Sequence, residues 1–342
     1  MPLSLTELEA IRDECLADDV DIDFMRMCGW SSEEAEAFFS SGGADAPQED
    51  CELPLMVHLA DGRQLSYRVY GSEEADATPV IYCHGNGNSR LFSPTYKTTE
   101  EMARQAGAKV VCFDRPGVGY SSPHTDGSYS SSADDIGQLA AALNLGRFAL
   151  LGYSSGCIHA LAAAALLPAG KVSALMLVAS DGPYCQILDD VSSHDMFPAE
   201  DRKHFRTLVN RSWDQVLSAA KESADGLHES YHSAKSLLTE EKREVNLVDL
   251  RQAMRQGLEG MARDSLFEGR PWPFALKPLA QVPTLVWHGE NDDEVRPSAG
   301  RFVAQKLGVQ LKVFDGEIHS IIRRKWGLML QELVAAAKGG SA

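Results

Sequence analysis

The chain has 342 residues, 44% of them hydrophobic, and a formal net charge of −17. This length allows either one large domain with an insertion or two small domains, with enough apolar residues for a sizeable core. The negative charge, together with the lack of Lys/Arg clusters interleaved with aromatic residues, argues against nucleic acid as a partner.

The negative charge is concentrated at the start of the chain. Residues 1–52 hold 15 of the 49 Asp/Glu and 2 of the 32 Lys/Arg, a net of −13, so the other 290 residues carry only −4. Helical spacing of apolar residues occurs at 3–17, and a capping-box pattern follows Trp30. We therefore predict an acidic helical N-terminal extension over residues 1–52, which is a candidate for self-association or for binding a protein partner.

The cysteines and the first residues of the chain indicate a cellular compartment. The chain has seven cysteines, an odd number, and none forms a CxxC pair. This pattern predicts reduced thiols, without a disulfide framework or a metal site. The start of the chain is acidic and amphipathic, unlike a secretory signal, and no apolar stretch is long enough to span a membrane. We expect a cytoplasmic protein.

Two strands, Leu53–Leu59 and Leu65–Tyr70, are predicted to form a hairpin through Asp61-Gly62. Strands and helices then alternate along the chain. The further predicted strands are Pro79–Cys83, Lys109–Phe113, Phe148–Leu151, Val172–Ala179, Thr284–Trp287 and Gln310–Phe314. The predicted helices are 131–143, 157–167, 297–307 and 321–337. The alternation predicts an α/β fold with a mostly parallel sheet covered by helices on both faces.

The alternation is interrupted once. Residues 184–281 are almost entirely helix-like and amphipathic, without a convincing strand, and the alternation resumes after them. We therefore predict a core formed by residues 53–183 and 282–342, and a helical cap over 184–281 that is inserted into it.

The stretch Gly152-Tyr153-Ser154-Ser155-Gly156 matches G-x-S-x-G between an apolar strand and an Ala-rich helix. Such a sharp strand-to-helix turn admits only small residues two positions either side of its centre, and it exposes the central residue. Ser154 is therefore the candidate nucleophile. The backbone N–H of Ser155, at a helix N-terminus, is a candidate donor to a developing oxyanion. Alternatively, both serines only cap the helix.

A second glycine-rich turn, His84-Gly85-Asn86-Gly87, directly follows a predicted strand. Its glycines let the backbone approach a ligand closely, and the N–H of Asn86 is the natural second oxyanion donor. An ordinary glycine-rich loop is the alternative. Neither nucleotide-binding glycine motif is present, so the turn does not indicate a phosphate site.

Asp292 and His319 each follow a predicted strand. A serine hydroxyl needs a base to remove its proton, imidazole has a pKa near neutrality, and a carboxylate can hold the imidazole in the required tautomer. The chain order Ser154, Asp292, His319 is the order expected when these groups act together in one fold. Asp181 and Asp293 are alternative candidates for the acid.

Three further motifs carry a family resemblance: HGNGNSR at 84–90, DRPGVGYS at 114–121 and WHGEND at 287–292. With the G-x-S-x-G turn, they resemble the HGxxxSR, DRPGxGxS and WHGExD segments of serine hydrolases of the α/β-hydrolase superfamily, over about residues 53–342. The resemblance implies an eight-stranded sheet and hydrolysis of carboxylic esters or related acyl compounds.

By the same resemblance, Ser154 is the nucleophile, Asp292 the acid and His319 the base, and Asn86 and Ser155 are the oxyanion donors. Two features depart from the family pattern. The Asn86-Gly87-Asn88 segment is more polar than the Pro-containing loop common in this group, and the acidic extension has no counterpart in its motifs.

We therefore expect a cofactor-independent, metal-independent serine esterase whose partner is a small to medium, neutral, fairly apolar ester. One alternative is an aminopeptidase or amidase. Another is a small-molecule receptor or interaction protein with slow turnover. Asp114 and Arg115 are expected to shape a turn. His124, His159 and His288 are expected to have structural or solvent roles. The sequence does not predict which residues bind the substrate.

Overall fold

The computed structural model describes residues 54–190, 195–232 and 240–339. The predicted acidic extension over residues 1–52 lies outside the described residues. Within them, eight strands form one sheet. The strands are β1 (Leu55–His58), β2 (Gln64–Gly71), β3 (Thr78–Cys83), β4 (Ala108–Phe113), β5 (Phe148–Tyr153), β6 (Val172–Val178), β7 (Thr284–Gly289) and β8 (Leu311–Phe314).

The strand order across the sheet is β1-β2-β4-β3-β5-β6-β7-β8. β1 and β2 form the predicted antiparallel hairpin, and β2 also pairs antiparallel with β4, whereas all other neighbours are parallel. β5 and β6 are buried along their whole length, as expected for strands covered on both faces. The predicted fold class, a mostly parallel eight-stranded sheet flanked by helices, is confirmed.

The described helices are also numbered in chain order. They are α1 (Thr99–Gln105), α2 (Tyr129–Ala142), α3 (Gly156–Leu166), α4 (Tyr184–Asp189), α5 (Ala199–Val209), α6 (Trp213–His232), α7 (Glu240–Ala253), α8 (Glu259–Glu268), α9 (Pro297–Leu307) and α10 (Ile321–Ala337). Among them, none has the length and apolarity that crossing a lipid bilayer requires.

Two apolar layers enclose the sheet. Because side chains alternate along a strand, Ile81 and Cys83 pack on the face covered by α2, α3 and α9, whereas Val80 and Tyr82 pack against α1 and α10. Helix α1 has no predicted counterpart. It is only seven residues long, and packing supports it: the indole Nε1 of Trp326 in α10 donates to the Thr99 carbonyl over 3.2 Å.

Helices α4 to α8, called here the helical insertion, lie between β6 and β7 in the chain. They have their own apolar contacts, for example Phe205 of α5 stacked on Tyr184 of α4 with ring centroids 4.6 Å apart. Helix α8 reaches the core, where the side-chain amide of Asn86 donates to Ser265 Oγ over 2.8 Å. The helical insertion therefore contacts the loop that follows β3.

The turn from β5 into α3 is packed with almost no free space. A Cβ added at Gly156 would lie 2.2 Å from the carbonyl oxygen of Cys83 and 2.4 Å from that of His84. One added at Gly152 would lie 2.5 Å from the Cα of Cys157. These backbone contacts explain why the two glycines flank the central Ser154: the turn can close against the end of β3 only without side chains there.

Replacing Gly156 by alanine should push α3 away from β3. We expect Gly156→Ala to lower the free energy of unfolding by about 1–3 kcal/mol, the usual range for overpacking. The matched control is Gly226→Ala in α6, where an added Cβ meets nothing within 4 Å. This control should stabilise the protein by about 0.5–1 kcal/mol through helix propensity. Urea unfolding of both variants measures the difference, and equal changes would contradict the packing argument.

Candidate active site

Ser154 is the first residue after β5, and its backbone is left-handed, with φ of 53°. This conformation is costly for a residue with a side chain, so the surrounding contacts must hold it. The N–H of Ser154 donates to Val178 of β6, and its carbonyl accepts from the N–H of Cys157, each over 2.9 Å. The central serine of the turn is thereby fixed between the sheet and α3.

His319 connects Ser154 to Asp292. Its Nε2 lies 3.0 Å from Ser154 Oγ, and its Nδ1 lies 2.9 Å from Asp292 Oδ2. Because an ionised carboxylate can only accept a hydrogen bond, Nδ1 carries the proton and Nε2 is left to accept from the serine hydroxyl. His319 lies between β8 and α10, and its carbonyl accepts from the Tyr153 hydroxyl over 3.4 Å.

Asp292 follows β7, and its carboxylate is fully buried among donors. Its Oδ1 accepts from the N–H groups of Glu294 and Val295 over 3.1 and 2.9 Å. Its Oδ2 accepts from His319, and it lies 3.1 Å from Nε2 of His288. Burial alone would raise the pKa of Asp292, but the hydrogen bonds from His288 and His319 outweigh it and lower that pKa to about 2.

The contact between Asp292 and His319 also changes the pKa of His319, the candidate base. Burial opposes the charged form of His319, but the hydrogen bond and the negative charge of Asp292 are stronger, so the pKa of His319 is raised above its ordinary value of 6.5. The pair thus combines an ionised acid with a histidine that takes up a proton readily.

The structure distinguishes the three candidate acids by position. Asp293 is exposed, one residue beyond the carboxylate that bonds to His319. Asp181, after β6, is buried and accepts from the Tyr184 hydroxyl over 2.6 Å. Burial raises the pKa of Asp181. Asp292 is therefore the carboxylate that the structure brings to His319.

Two backbone N–H groups are available beside Ser154. Those of Asn86 and Ser155 donate to no acceptor among the described residues. The loop that carries Asn86 runs against the serine, since a Cβ added at Gly85 would lie 3.3 Å from the Cβ of Ser154. The predicted donors thus lie on the two backbone segments that meet at Ser154.

The surroundings of the loop 84–90 include contacts that the sequence did not reveal. Asp249 of α7 accepts from Asn88 Nδ2 and from the backbone N–H of Ser89, both over 2.9 Å, and from Ser89 Oγ over 2.7 Å. Burial raises the pKa of Asp249 to about 6, against the opposing effect of these hydrogen bonds. An acidic residue on an amphipathic helix carries no signal of such a partner.

Arg115, which was predicted only to shape a turn, also contacts α8 and the loop after β3. It is 1% exposed, and its guanidinium donates to the Asp264 carboxylate of α8 and to the His84 carbonyl. The signal in the sequence was its position: a charged residue two positions after the buried strand β4 ends.

Two further histidines, His84 and His159, are buried close to Arg115. Burial, followed by the charge of Arg115, lowers the pKa of both His84 and His159 well below the ordinary value. His159 Nδ1 lies 2.7 Å from Ser132 Oγ, which joins α3 to α2. His288, for which a structural or solvent role was predicted, contacts Asp292 directly. In the part of the chain that the structure describes, no cluster of three or more His, Cys, Asp or Glu side chains could hold a metal ion.

Residues 78–322 match the family model described as the alpha/beta hydrolase fold. Two curated relatives match a shorter region. The putative carbamate hydrolase RutD of Agrobacterium fabrum is 27% identical over 95 residues, 27% of this chain and 34% of that protein. The proline iminopeptidase of Lactiplantibacillus plantarum is 30% identical over 100 residues, 28% of this chain and 34% of that protein. The match thus spans about a third of each relative's length.

Among solved structures, an esterase from Exiguobacterium antarcticum is similar to this chain with a TM-score of 0.61 and 19% sequence identity. The similarity covers 84% of this chain and all of the esterase. At this identity the likeness establishes a shared fold.

The contact between His319 and Asp292 makes a pKa prediction. His319 should titrate with a midpoint above 6.5. Asp292→Asn should move the midpoint below that of the intact protein, because burial is then opposed only by the weaker effects of Glu294 and Asp181. Imidazole NMR signals followed against pH give both values. Asp181→Asn is the control and should cause a smaller decrease, and a larger decrease there would make Asp181 the dominant carboxylate.

Proposed function

Because this chain belongs to the α/β-hydrolase fold family, we propose that it is a serine hydrolase that cleaves carboxylic esters through an acyl-enzyme on Ser154. One observation carries the proposal: Ser154 Oγ, His319 and Asp292 form a continuous hydrogen-bonded chain with distances of 3.0 and 2.9 Å. This is the arrangement in which a serine hydroxyl becomes nucleophilic.

In the first half-reaction, Ser154 Oγ attacks the acyl carbon and His319 Nε2 takes the hydroxyl proton. The carbonyl oxygen becomes an oxyanion, and the N–H groups of Asn86 and Ser155 donate to it. Asp292 stays ionised, with a pKa of about 2, and stabilises the imidazolium that forms. When the intermediate collapses, the alcohol leaves with the proton from Nε2, and the acyl group remains on Ser154.

The second half-reaction repeats these steps with water. His319 Nε2 takes a proton from the water as its oxygen attacks the acyl carbon. The same two N–H groups stabilise the oxyanion. Collapse returns the proton to Ser154 Oγ and releases the carboxylic acid. No cofactor takes part in this scheme.

We further propose that the substrate is a small to medium, neutral and fairly apolar ester. The helical insertion lies beside the loop that carries Asn86, and it provides apolar side chains that include Met261, next to Gly87. Burial raises the pKa values of Asp181 and Glu268. A neighbouring carboxyl group raises each of these pKa values further. Asp181 lies close enough to His319 to act on its pKa, so it would also oppose a negatively charged acyl group beside that histidine.

Hydrolysis of small peptides or amides is the second candidate function. The iminopeptidase match, although partial, favours it. The same nucleophile and base would serve, and His319 would protonate a leaving amine instead of a leaving alcohol. The amine is the poorer leaving group. An amide substrate with the same acyl group therefore separates the two candidates.

The two adjacent serines test the nucleophile. Ser154→Ala should abolish p-nitrophenyl ester turnover, with losses of up to about 10⁶-fold in kcat, and should abolish labelling by a fluorophosphonate probe. Ser155→Ala is the matched control and should keep most of the activity, because its proposed contribution is a backbone N–H. Activity in Ser154→Ala together with an inactive Ser155→Ala would contradict the assignment.

Chain length and charge test the substrate. From p-nitrophenyl acetate to butyrate, kcat/KM should increase, since each buried methylene contributes about 0.8 kcal/mol, roughly a fourfold factor. It should fall at palmitate, because we propose that the helical insertion covers the site and limits the length of the acyl chain, and for a succinate half-ester, which is charged. The p-nitroanilide of butyrate should react much more slowly than the ester. Preference for the half-ester, palmitate or the anilide would contradict the proposal.

A further inference from the structure

Arg115 is a buried cation shared among three parts of the structure. Its Nε and Nη2 donate to Asp264 Oδ2 of α8 over 3.0 and 2.5 Å. Its Nη1 donates to the His84 carbonyl, and Nη2 also lies 3.4 Å from the Gly85 carbonyl. At 3.5 Å, the limit for a hydrogen bond, Nη2 approaches Ser155 Oγ. The guanidinium therefore touches both segments that carry a proposed oxyanion donor.

The Gly85 carbonyl matters because of peptide geometry. This C=O and the N–H of Asn86 belong to one planar trans peptide unit, so fixing the oxygen fixes the direction of the N–H on the opposite side. The oxygen accepts from His84 Nδ1 over 2.8 Å and from the N–H of Asn88 over 3.3 Å, in addition to Arg115. A cation bonded to the oxygen also polarises the unit and makes its N–H a stronger donor.

Asp264 fixes the direction of the guanidinium. The two hydrogen bonds that Asp264 accepts come from Nε and Nη2, which form one edge of the planar guanidinium of Arg115. Nη1 is therefore left to donate to the loop after β3. Helix α8 holds the same loop at a second place, where Asn86 Nδ2 donates to Ser265 Oγ over 2.8 Å and to the Met261 carbonyl over 3.3 Å. The backbone of α8 also packs tightly on the loop after β4, since a Cβ at Gly260 would lie 2.4 Å from the Gly117 carbonyl oxygen.

We propose that Arg115, oriented by Asp264 of the helical insertion, is a positioning residue that sets the Gly85–Asn86 peptide so that the Asn86 N–H meets the oxyanion. The inference rests on the proposed serine-hydrolase function. It makes the geometry of the oxyanion donors dependent on the position of α8, so that the helical insertion contributes to the chemical step as well as to the proposed acyl-binding site.

A purely structural role for Arg115 predicts a different result. Loss of a buried ion pair would then reduce the amount of folded protein without changing the rate of each folded molecule. A positioning role lowers the rate per active site and weakens binding of a transition-state mimic, while ground-state binding stays near its original level.

The test is Arg115→Lys, assayed on the full chain at a temperature where the variant is folded. Lysine keeps the charge but lacks the planar fork, so it cannot bridge Asp264 and the loop carbonyls together. Fluorophosphonate titration counts active sites. Per active site, kcat for p-nitrophenyl butyrate should fall about 10- to 100-fold, less than the 10²–10³-fold that follows loss of an oxyanion donor, with KM changed little.

A trifluoromethyl ketone provides a second measurement. Ser154 Oγ adds to its carbonyl carbon, the hydroxyl proton moves to His319, and the resulting oxyanion occupies the donor site. Its inhibition constant should increase in proportion to the loss in kcat/KM. Asp264→Asn, which keeps the shape of the side chain, should change both quantities in the same direction but less, and it serves as the test if Arg115→Lys does not fold.

The matched control is Arg63→Gln, which breaks the Arg63–Asp135 ion pair, with contacts of 2.6 and 3.0 Å, between the loop after β1 and α2. It should leave kcat per active site unchanged. If Arg115→Lys keeps the wild-type kcat per active site and the wild-type affinity for the ketone, the positioning role is wrong, whereas the proposed function is unaffected. If the wild-type protein neither reacts with the probe nor hydrolyses esters, the proposed function fails, and this inference fails with it.

Discussion

The left-handed turn at Ser154 is the constraint on which the rest of the structure depends. The turn closes only because Gly152 and Gly156 let the start of α3 press against the end of β3. That contact also brings the loop after β3 beside the serine, since Gly85 lies against Ser154. A single backbone packing arrangement therefore places the candidate nucleophile and both candidate oxyanion donors.

Hydrogen bonds, rather than solvent, determine the charges at the site. Asp292 is buried, and burial alone would favour its neutral form. Two backbone N–H groups and two imidazoles converge on its oxygens, and they keep the carboxylate ionised. The negative charge in turn raises the pKa of His319. The hydrogen-bonded chain from Asp292 to Ser154 thus acts as one electrostatic unit whose parts depend on each other.

Buried charges also fix the helical insertion on the core. Burying a carboxylate costs free energy unless donors satisfy it. Asp249 of α7 accepts hydrogen bonds from the loop after β3, and Asp264 of α8 accepts them from Arg115. Such contacts are directional, unlike apolar packing, so they specify one position and orientation of α7 and α8 on the core. The loop beside Ser154 is therefore shaped from both sides.

The sequence by itself determined the strand order along the chain, the parallel sheet and the turn centred on Ser154, because alternating apolar runs and paired glycines express local backbone constraints. Only the tertiary structure decided which carboxylate contacts His319. Asp181, Asp292 and Asp293 all follow strands, and spacing along the chain carries no distance between loops. The position of Arg115 after β4 singled it out, but its contacts could not be read from the sequence: its partners lie 31 and 149 residues away, and a buried ion pair forms only where folding brings such distant segments together.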